Sequence, residues 1–477
     1  MKDILDIDAH ILARLIQQRE LSALEVTSAS IERMQQLEPS LHAFCTPTVE
    51  LARQQANAVD KKIANGESVG PLAGVPIAVK DLIATAGVKT TSGSFIYENF
   101  IPDEDDIVVE RVKQAGAIIL GKTTAPEFGY SGVGHNPLFT SPRNPWDLTM
   151  TPGGSSAGSG VALAARMCPL ALGSDGGGSV RIPAAHCGVY GLKASMGRVP
   201  LYPGCRDERY PGVSSWESLE HIGPMTRSVT DAALLMSVIA GPDARDRHSI
   251  PAGDVNWLEA LKRDIKGLRI AYSPDLGFAA VDPEVRDIVK QAASVFERDL
   301  GCHVELANPG FGDTRQTFMA LVAMDTDLVG MRQFLPEFGH KMSPHLVEML
   351  KRQWTAEDFT NAITARKAMA NCMARFMQNY DLLLTPTLAT PPFPLYMQGP
   401  EIIDGRMVAS NEWLNFCFPF NFTGQPAASI PAGFTQSGLP VGLQLVGRHL
   451  DDATVLAASA AFEQAQPWIN RKPGVLL

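Results

Sequence analysis

Two segments rich in glycine and serine lie inside apolar sequence, and they constrain the fold of this chain more than any other feature. Residues 153–159 have the sequence GGSSAGS, and residues 173–181 have the sequence GSDGGGSVR. Apolar residues follow the first segment at 161–165 and precede the second at 168–172, which is not typical of solvated linkers. Because glycine has no Cβ, backbone N–H groups in such segments can approach a developing oxyanion closely. Each segment therefore combines a conformationally free backbone with a potential serine nucleophile.

Short apolar segments that alternate with helical patterns predict the fold class. Strands are predicted at 74–81, 117–123, 170–175, 382–387 and 441–446, and helices at 107–114, 282–300 and 355–379. This alternation favours an α/β fold with a largely buried sheet, in which loops at the strand ends carry the chemistry.

Two further regions decide the expected organisation of the chain. Residues 1–65 are predicted to form a helical arm, in which Ser22 and Glu25 are typical of a capping box. Residues 201–221 form a long irregular connection, which is either functional or disordered. Because no linker divides the sequence, we expect one compact unit in which the arm at 1–65 packs on a catalytic domain at 66–477.

Composition and charge argue against several classes of protein. The 477 residues carry a formal net charge of −10 and lack the clustered lysine and arginine of a nucleic-acid-binding surface. No segment approaches the ~20 apolar residues that cross a bilayer, and the acidic N-terminus is unlike a signal peptide. The seven cysteines include no CxxC pair, which indicates reduced thiols in a cytoplasmic protein. Scattered histidines predict no metal site, and no cofactor motif is present.

The residues alone leave three serine chemistries to compare. The pentapeptide GSSAG matches a nucleophile elbow on Ser156, but the segment before it lacks the required strand pattern. A pair of Ser179 and His186 is disfavoured, because seven residues of helix would separate the side chains by two turns. A lysine base must be neutral, which burial favours, and Lys80 ends an apolar segment. Lys80 is therefore either such a base or the partner of Asp81 or another carboxylate.

Five segments of the chain together match a known family. They are residues 74–81, 153–159, 173–181, 422–427 and 438–444, with Ala157 in place of a family glycine. Ser155 follows Lys80 by 75 residues, and Ser179 follows Ser155 by 24 residues, which also agrees with that family. On these matches the chain resembles the amidase signature family from about residue 10 onwards. The resemblance implies an α/β fold with a central mixed β-sheet covered by helices on both faces, and it implies hydrolysis of linear amides.

The resemblance also implies the roles of individual residues. Ser179 is the expected nucleophile, Ser155 the bridging serine and Lys80 the base of a Ser-cisSer-Lys triad, with a cis peptide bond before Ser155. The expected oxyanion donors are the backbone N–H groups of Gly176, Gly177, Gly178 and Ser179, and the expected loop supports are Ser156, Asp175 and Arg181. Such a mechanism proceeds through a seryl acyl-enzyme and requires no cofactor.

The family contains free amidases and the glutaminase subunit of tRNA-dependent amidotransferases. Glutaminase subunits bind the α-ammonium group of glutamine in part through an acidic residue, and Leu414 occupies that position in this chain. We therefore expect a free amidase, with the amidotransferase glutaminase as the alternative and a non-catalytic homologue as a third hypothesis.

Aromatic residues near the motifs favour an aryl or hydrophobic amide as the substrate. Tyr130 and Trp413 are the first candidates for the substrate pocket. We expect a small-molecule amide as the binding partner, no direct contact with nucleic acid or membrane, and a homodimer.

Overall fold

A large β-sheet is the central feature of the computed structural model, which describes residues 3–253 and 255–476. The strands are β1 (Phe44–Pro47), β2 (Pro76–Lys80), β3 (Ile118–Thr123), β4 (Leu170–Ser174), β5 (Tyr190–Lys193), β6 (Ile222–Thr226), β7 (Arg269–Tyr272), β8 (His303–Leu306), β9 (Leu382–Pro386), β10 (Ile402–Ile403), β11 (Arg406–Met407), β12 (Ala427–Phe434) and β13 (Pro440–Gly447). Within the described residues, eleven strands form one sheet in the order β1-β3-β2-β4-β6-β5-β12-β13-β9-β7-β8, and β10 pairs with β11.

Helices fill the connections between these strands. They are α1 (Ala9–Gln17), α2 (Ala23–Leu41), α3 (Val49–Ala64), α4 (Ile107–Gln114), α5 (Ala157–Ala164), α6 (Arg181–Cys187), α7 (Val229–Ile239), α8 (Trp257–Ala260), α9 (Pro283–Arg298), α10 (Arg315–Asp325), α11 (Leu328–Gln333), α12 (Leu335–Phe338), α13 (Pro344–Lys351), α14 (Ala356–Phe376), α15 (Phe418–Thr423) and α16 (Asp452–Ala465). Short 3₁₀ turns lie at Ile4–Asp6, Phe95–Tyr97, Glu127–Gly129, Gly204–Arg206, Glu412–Leu414 and Gly474–Leu476.

The sheet is mixed and its centre is buried. Strand β2 is parallel to both β3 and β4, whereas β4 is antiparallel to β6. Every residue of β2, β3, β4 and β6 is buried, which requires cover on both faces of the sheet. The predicted α/β class, with helices around a central mixed sheet, is therefore confirmed. The strands and helices predicted from the sequence also form, with small differences at their ends.

The N-terminal arm contains a strand that the sequence analysis did not predict. The helices α1, α2 and α3 form as expected, and Ser22 and Glu25 make both hydrogen bonds of the capping box. Between α2 and α3, however, the short strand β1 pairs antiparallel with β3 at the edge of the central sheet. The arm therefore contributes to the sheet of the main body, and a domain boundary at residue 65 stays a prediction.

The topology brings the motif residues to one edge of the sheet. Since β2 and β4 are parallel neighbours, their last residues, Lys80 and Ser174, lie at the same end of the sheet. The loop at 175–180 then leads from β4 into α6. The segment that contains Ser155 leads into α5, so both glycine-rich segments are turns at helix N-termini, as expected for buried functional loops.

The connection at 201–221 is held against the main body by hydrogen bonds. Arg206 donates from Nε to Asp246 Oδ1 at 3.1 Å, and Arg366 donates from Nη2 to the carbonyl oxygen of Ser218 at 2.8 Å. At its end, His221 and Asp175 exchange two backbone hydrogen bonds, of 2.7 and 3.2 Å. These contacts favour the functional alternative for this connection, because they tie it to the loop that contains Ser179.

Three further observations concern the described residues as a whole. Their helices include none that combines the length and the apolar character needed to span a bilayer. The seven cysteines are free thiols, five of them buried. No group of three or more histidine, cysteine or acidic side chains is arranged in the described residues to hold a metal ion.

Candidate active site

Lys80 lies fully buried at the end of β2 and contacts two serines. Its Nζ donates hydrogen bonds to Ser155 Oγ at 2.7 Å, to Ser174 Oγ at 2.8 Å and to the carbonyl oxygen of Ser174 at 3.2 Å. Burial lowers the pKa of Lys80 to about 8, although the negative charges of Glu220 and Asp175 oppose the shift. A substantial fraction of this lysine is therefore neutral near physiological pH, as a general base requires.

The structure does not pair Lys80 with Asp81, which the sequence left open as an alternative. Successive side chains of a strand point to opposite faces, and Asp81 instead accepts hydrogen bonds from the backbone N–H and the hydroxyl group of Thr91. Burial raises the pKa of Asp81, and the positive charge of Lys122 opposes this shift. Lys80 instead hydrogen-bonds to serines of the two glycine-rich segments, and the other nearby carboxylates, Glu220 and Asp175, act on it through their charge.

Ser155 and Ser179 lie on the wall of one small cavity, next to Lys80. The peptide bond between Gly154 and Ser155 is cis, as the resemblance implies. Ser155 is 2% exposed and Ser179 is 8% exposed, and both line the same small cavity. The backbone N–H of Ser156 donates to the carbonyl oxygen of Ser179 at 3.1 Å, so the two segments are joined directly beside these hydroxyl groups.

Ser156 supports the lysine through Ser174. Its Oγ donates to the carbonyl oxygen of Ser174 at 3.2 Å and accepts from the backbone N–H of Ser174 at 3.2 Å. Ser174 in turn accepts two of the hydrogen bonds of Lys80. The sequence singled out Ser156 but missed Ser174, which lies five residues before Ser179 in the same motif.

Asp175 and Arg181 form a fully buried ion pair that shapes the loop around Ser179. Arg181 donates from Nη2 to Asp175 Oδ1 at 2.9 Å and from Nε to Oδ2 at 3.0 Å. Burial alone would raise the pKa of Asp175, but the charge and hydrogen bonds of Arg181 hold it well below its usual range. Arg181 also donates to the side-chain oxygens of Asn421 and Gln444, at 2.6 and 2.7 Å. The pair therefore fastens the loop to α15 and β13.

The expected set of oxyanion donors needs one correction. The backbone N–H of Gly178 donates to Asp175 Oδ1 at 2.7 Å, so this group holds the loop in shape and is not free for an oxyanion. In the described part of the chain, no acceptor contacts the backbone N–H groups of Gly176, Gly177 and Ser179. These three groups remain available as oxyanion donors. Gly178 has a φ of +120°, and a Cβ there would lie 2.5 Å from Cys417 Cβ, so the position requires glycine.

A larger, mostly apolar cavity of about 270 Å³ opens from Ser179. Much of its wall consists of the side chains of Tyr130, Trp216, Phe318, Val322, Leu414 and Phe418. Tyr130, a predicted pocket residue, thus lies in the wall, where its hydroxyl group is hydrogen-bonded to Thr326 Oγ1. Phe318 and Phe418 stack with ring centroids 4.0 Å apart. Such a cavity fits an aromatic or other apolar group.

Trp413, the other predicted pocket residue, does not face this cavity. It is fully buried, stacks on His186 with ring centroids 5.5 Å apart, and donates from Nε1 to the carbonyl oxygen of Gln398 at 3.0 Å. It supports the wall from behind, where a Cβ on Gly132 would lie 3.1 Å from its ring. Burial lowers the pKa of His186 to about 3, which agrees with the packing role expected for that histidine.

Sequence reasoning missed Glu220, which lies beside the glycine-rich loop. A Cβ on Gly176 would lie 2.6 Å from Glu220 Oε2. Burial raises the pKa of Glu220 to about 7, while the nearby charge of Lys80 opposes the shift. No motif marks this residue, and only the backbone pairing of Asp175 with His221 brings it to the site.

Comparisons with known proteins show the family of the chain. A sequence model of the amidase family matches residues 25–456. An acylamidase from Rhodococcus erythropolis is 37% identical over 473 residues, which cover 97% of this chain and 96% of that protein. A component of the glutamyl-tRNA(Gln) amidotransferase of Geobacter metallireducens is 34% identical over 500 residues, which cover 99% of this chain and 100% of that protein. The crystal structure of a bacterial aryl acylamidase of the amidase signature family superposes with a TM-score of 0.90 at 31% identity, covering 97% of this chain and 96% of that one.

Proposed function

The chain belongs to the amidase signature family of amide hydrolases, and we propose that it is a free amidase that cleaves amides with an apolar acyl group. The observation that carries the proposal is the contact between a buried lysine and a serine. Lys80 Nζ lies 2.7 Å from Ser155 Oγ, and Ser155 shares a small cavity with Ser179. These residue types in this order can move a proton between a nucleophile and a base.

In the proposed reaction, neutral Lys80 accepts a proton from Ser155 while Ser155 accepts one from Ser179. Ser179 Oγ attacks the carbonyl carbon of the amide, and the backbone N–H groups of Gly176, Gly177 and Ser179 stabilise the oxyanion. Ser155 then donates its proton to the leaving nitrogen and takes one back from Lys80, so that the C–N bond breaks, the acyl-enzyme forms and Lys80 is neutral again. Water hydrolyses the ester through the same proton transfers and restores Ser179.

Leu414 supports a free amidase over an amidotransferase glutaminase. It stands where the resemblance to glutaminase subunits would require an acidic residue, and it lies in the wall of the large cavity. An aliphatic side chain cannot pair with the α-ammonium group of glutamine. The similarity to an amidotransferase component over the full chain keeps the glutaminase as the second candidate.

Hydrolysis of a panel of amides by the purified chain alone tests this proposal. The panel contains glutamine, acetamide, benzamide, indoleacetamide and anilides, with released ammonia or amine as the readout. We expect turnover of amides with apolar acyl groups and loss of turnover in Ser179→Ala. Ser294→Ala, on α9 and far along the chain from the motifs, is the matched control and should remain active. Activity confined to glutamine, or dependent on added partner proteins, would support the glutaminase instead.

The remaining expectations from the sequence stay predictions. They are a location in the cytoplasm, a homodimer and a catalytic domain that begins at residue 66. None of them is needed for the proposed reaction, which uses residues of a single chain.

A further inference from the structure

Two cavities of very different size meet at Ser179. The larger one has a volume of about 270 Å³ and an apolar wall. The smaller one has a volume of about 10 Å³ and is lined by Ser155, Ser179, Gly176 and Glu220, among others. In the described part of the chain, Ser155 belongs to the wall of the small cavity and not to that of the large one. An amide carbonyl at Ser179 therefore has two different sides on which its substituents can lie.

The position of Ser155 determines which substituent of the amide lies in which cavity. The leaving nitrogen must receive its proton from Ser155, so it must lie on the side of the small cavity, and the acyl group must then lie in the large one. The oxygen of the amide lies between these two sides, because Gly176 lines the small cavity, Gly177 lines the large one and Ser179 lines both. We infer that the small cavity is the subsite of the leaving nitrogen, and that the substrates of this enzyme are primary amides with an apolar acyl group. The inference rests on the proposed function, because it uses the proposed role of Ser155.

The size of the small cavity limits the leaving group. A volume of about 10 Å³ accommodates about one water-sized group, whereas a benzene molecule occupies a cavity of about 150 Å³. Leu82, Phe128 and Trp216 also line this cavity. Gly129 shows how little space remains, because a Cβ there would lie 3.1 Å from Leu82 Cδ1 and 3.5 Å from Ser155 Oγ. An NH₂ group fits this space, and an N-aryl group does not.

The chemistry of the small cavity also suits ammonia. Glu220 lines it and lines a neighbouring cavity of about 40 Å³, which shares Leu82, Phe128 and Trp216 as walls. A carboxylate can accept a hydrogen bond from an amide NH₂ group and attracts an ammonium ion. Asp106 lines the neighbouring cavity as well, and its Oδ2 is buried without a hydrogen-bond partner in the described residues. The product ammonia would thus leave the reaction site past two carboxyl groups.

A series of three substrates with one acyl group tests this inference. The substrates are phenylacetamide, its N-methyl derivative and its anilide, and kcat/KM is measured from released phenylacetate. We expect kcat/KM to fall at least about tenfold on adding the methyl group, with no measurable turnover of the anilide. Hydrolysis of the anilide at a rate equal to that of the primary amide would overturn the inference and leave the free amidase standing. No hydrolysis of any amide by the wild-type chain would instead refute the proposed function.

Two variants test whether the small cavity causes the selectivity for primary amides over N-methyl amides. Leu82→Ala enlarges the small cavity and the cavities beside it but not the large one, and it should raise kcat/KM for the N-methyl amide, relative to the primary amide, by about tenfold. Met319→Ala enlarges the large cavity alone and should leave this ratio unchanged, which makes it the matched control. An equal change of the ratio in both variants would contradict the assignment of the two sides. The comparison among wild-type rates needs neither variant, so it stands even if a variant folds poorly.

Discussion

The activity of the proposed amidase should fall steeply as the pH drops below about 8. Only neutral Lys80 can accept a proton from Ser155, and burial lowers the pKa of Lys80 to about 8. At pH 7 about one tenth of the molecules therefore have the neutral lysine. We expect kcat/KM at pH 7 to lie about tenfold below its value on the alkaline plateau, because it follows this fraction.

Glu220 should determine the shape of this pH dependence. Its negative charge raises the pKa of Lys80, and burial places the pKa of Glu220 itself at about 7. Below pH 7 Glu220 becomes neutral and no longer favours the charged lysine, so the fall in kcat/KM should become shallower there. Asp175, the other acidic group near Lys80, stays ionised because Arg181 holds its pKa low. Glu220→Gln should therefore shift the fall in kcat/KM to lower pH.

The assay measures kcat/KM for an uncharged primary amide between about pH 5.5 and pH 9.5 at constant ionic strength. Glu217→Gln is the matched control, because Glu217 lies on the same connection but pairs with Arg206 and Arg247 and does not line the small cavity. The Glu217→Gln variant should leave the pH at which kcat/KM falls unchanged. A profile that is flat between about pH 6 and pH 9 would refute the role of Lys80 as a neutral base. If the fall in kcat/KM shifted to higher pH in Glu220→Gln, the charge of Glu220 could not be what raises the pKa of Lys80.

Two further predictions concern the loop around Ser179. Arg181→Met should lower the free energy of unfolding by about 3–5 kcal/mol, because it leaves the buried Asp175 carboxylate without its partner. Urea unfolding followed by circular dichroism measures this, and a loss below about 1 kcal/mol would contradict it. Gly178→Ala should lower kcat/KM at least about 100-fold, because its Cβ would collide with Cys417 and displace the oxyanion donors. Activity within about threefold of wild type would argue against that geometry.

The sequence predicted those parts of the fold and the site that depend on neighbouring residues. The apolar segments that end at Lys80 and Ser174 are strands because they are short, buried and bounded by glycine or proline. The glycine-rich segments contribute to the resemblance to the family, and the structure places Ser155 in contact with Lys80 and both serines on the wall of one small cavity. The strands and the glycine-rich turns could each be predicted from fewer than ten consecutive residues, whereas the roles of the serines and of Lys80 followed from the resemblance of five separate segments.

The features that the sequence could not predict depend on contacts between distant segments. β1 has four residues and contains Pro47, so it has no strand pattern of its own and exists through its pairing with β3. Glu220 reaches the site through the pairing of Asp175 with His221. Trp413 is aromatic and near a motif, but the stacking on His186 that turns it away from the cavity is visible only in three dimensions.

The two halves of the chain contribute different parts of the site. Lys80, Ser155 and Ser179 all lie before α7, whereas α10, α13 and α15 supply Phe318, Met349 and Phe418 to the wall of the large cavity. Substitutions in the second half can therefore alter which acyl group is accepted without changing the groups that transfer protons. A lineage with this arrangement can acquire new substrates while its chemistry stays constant.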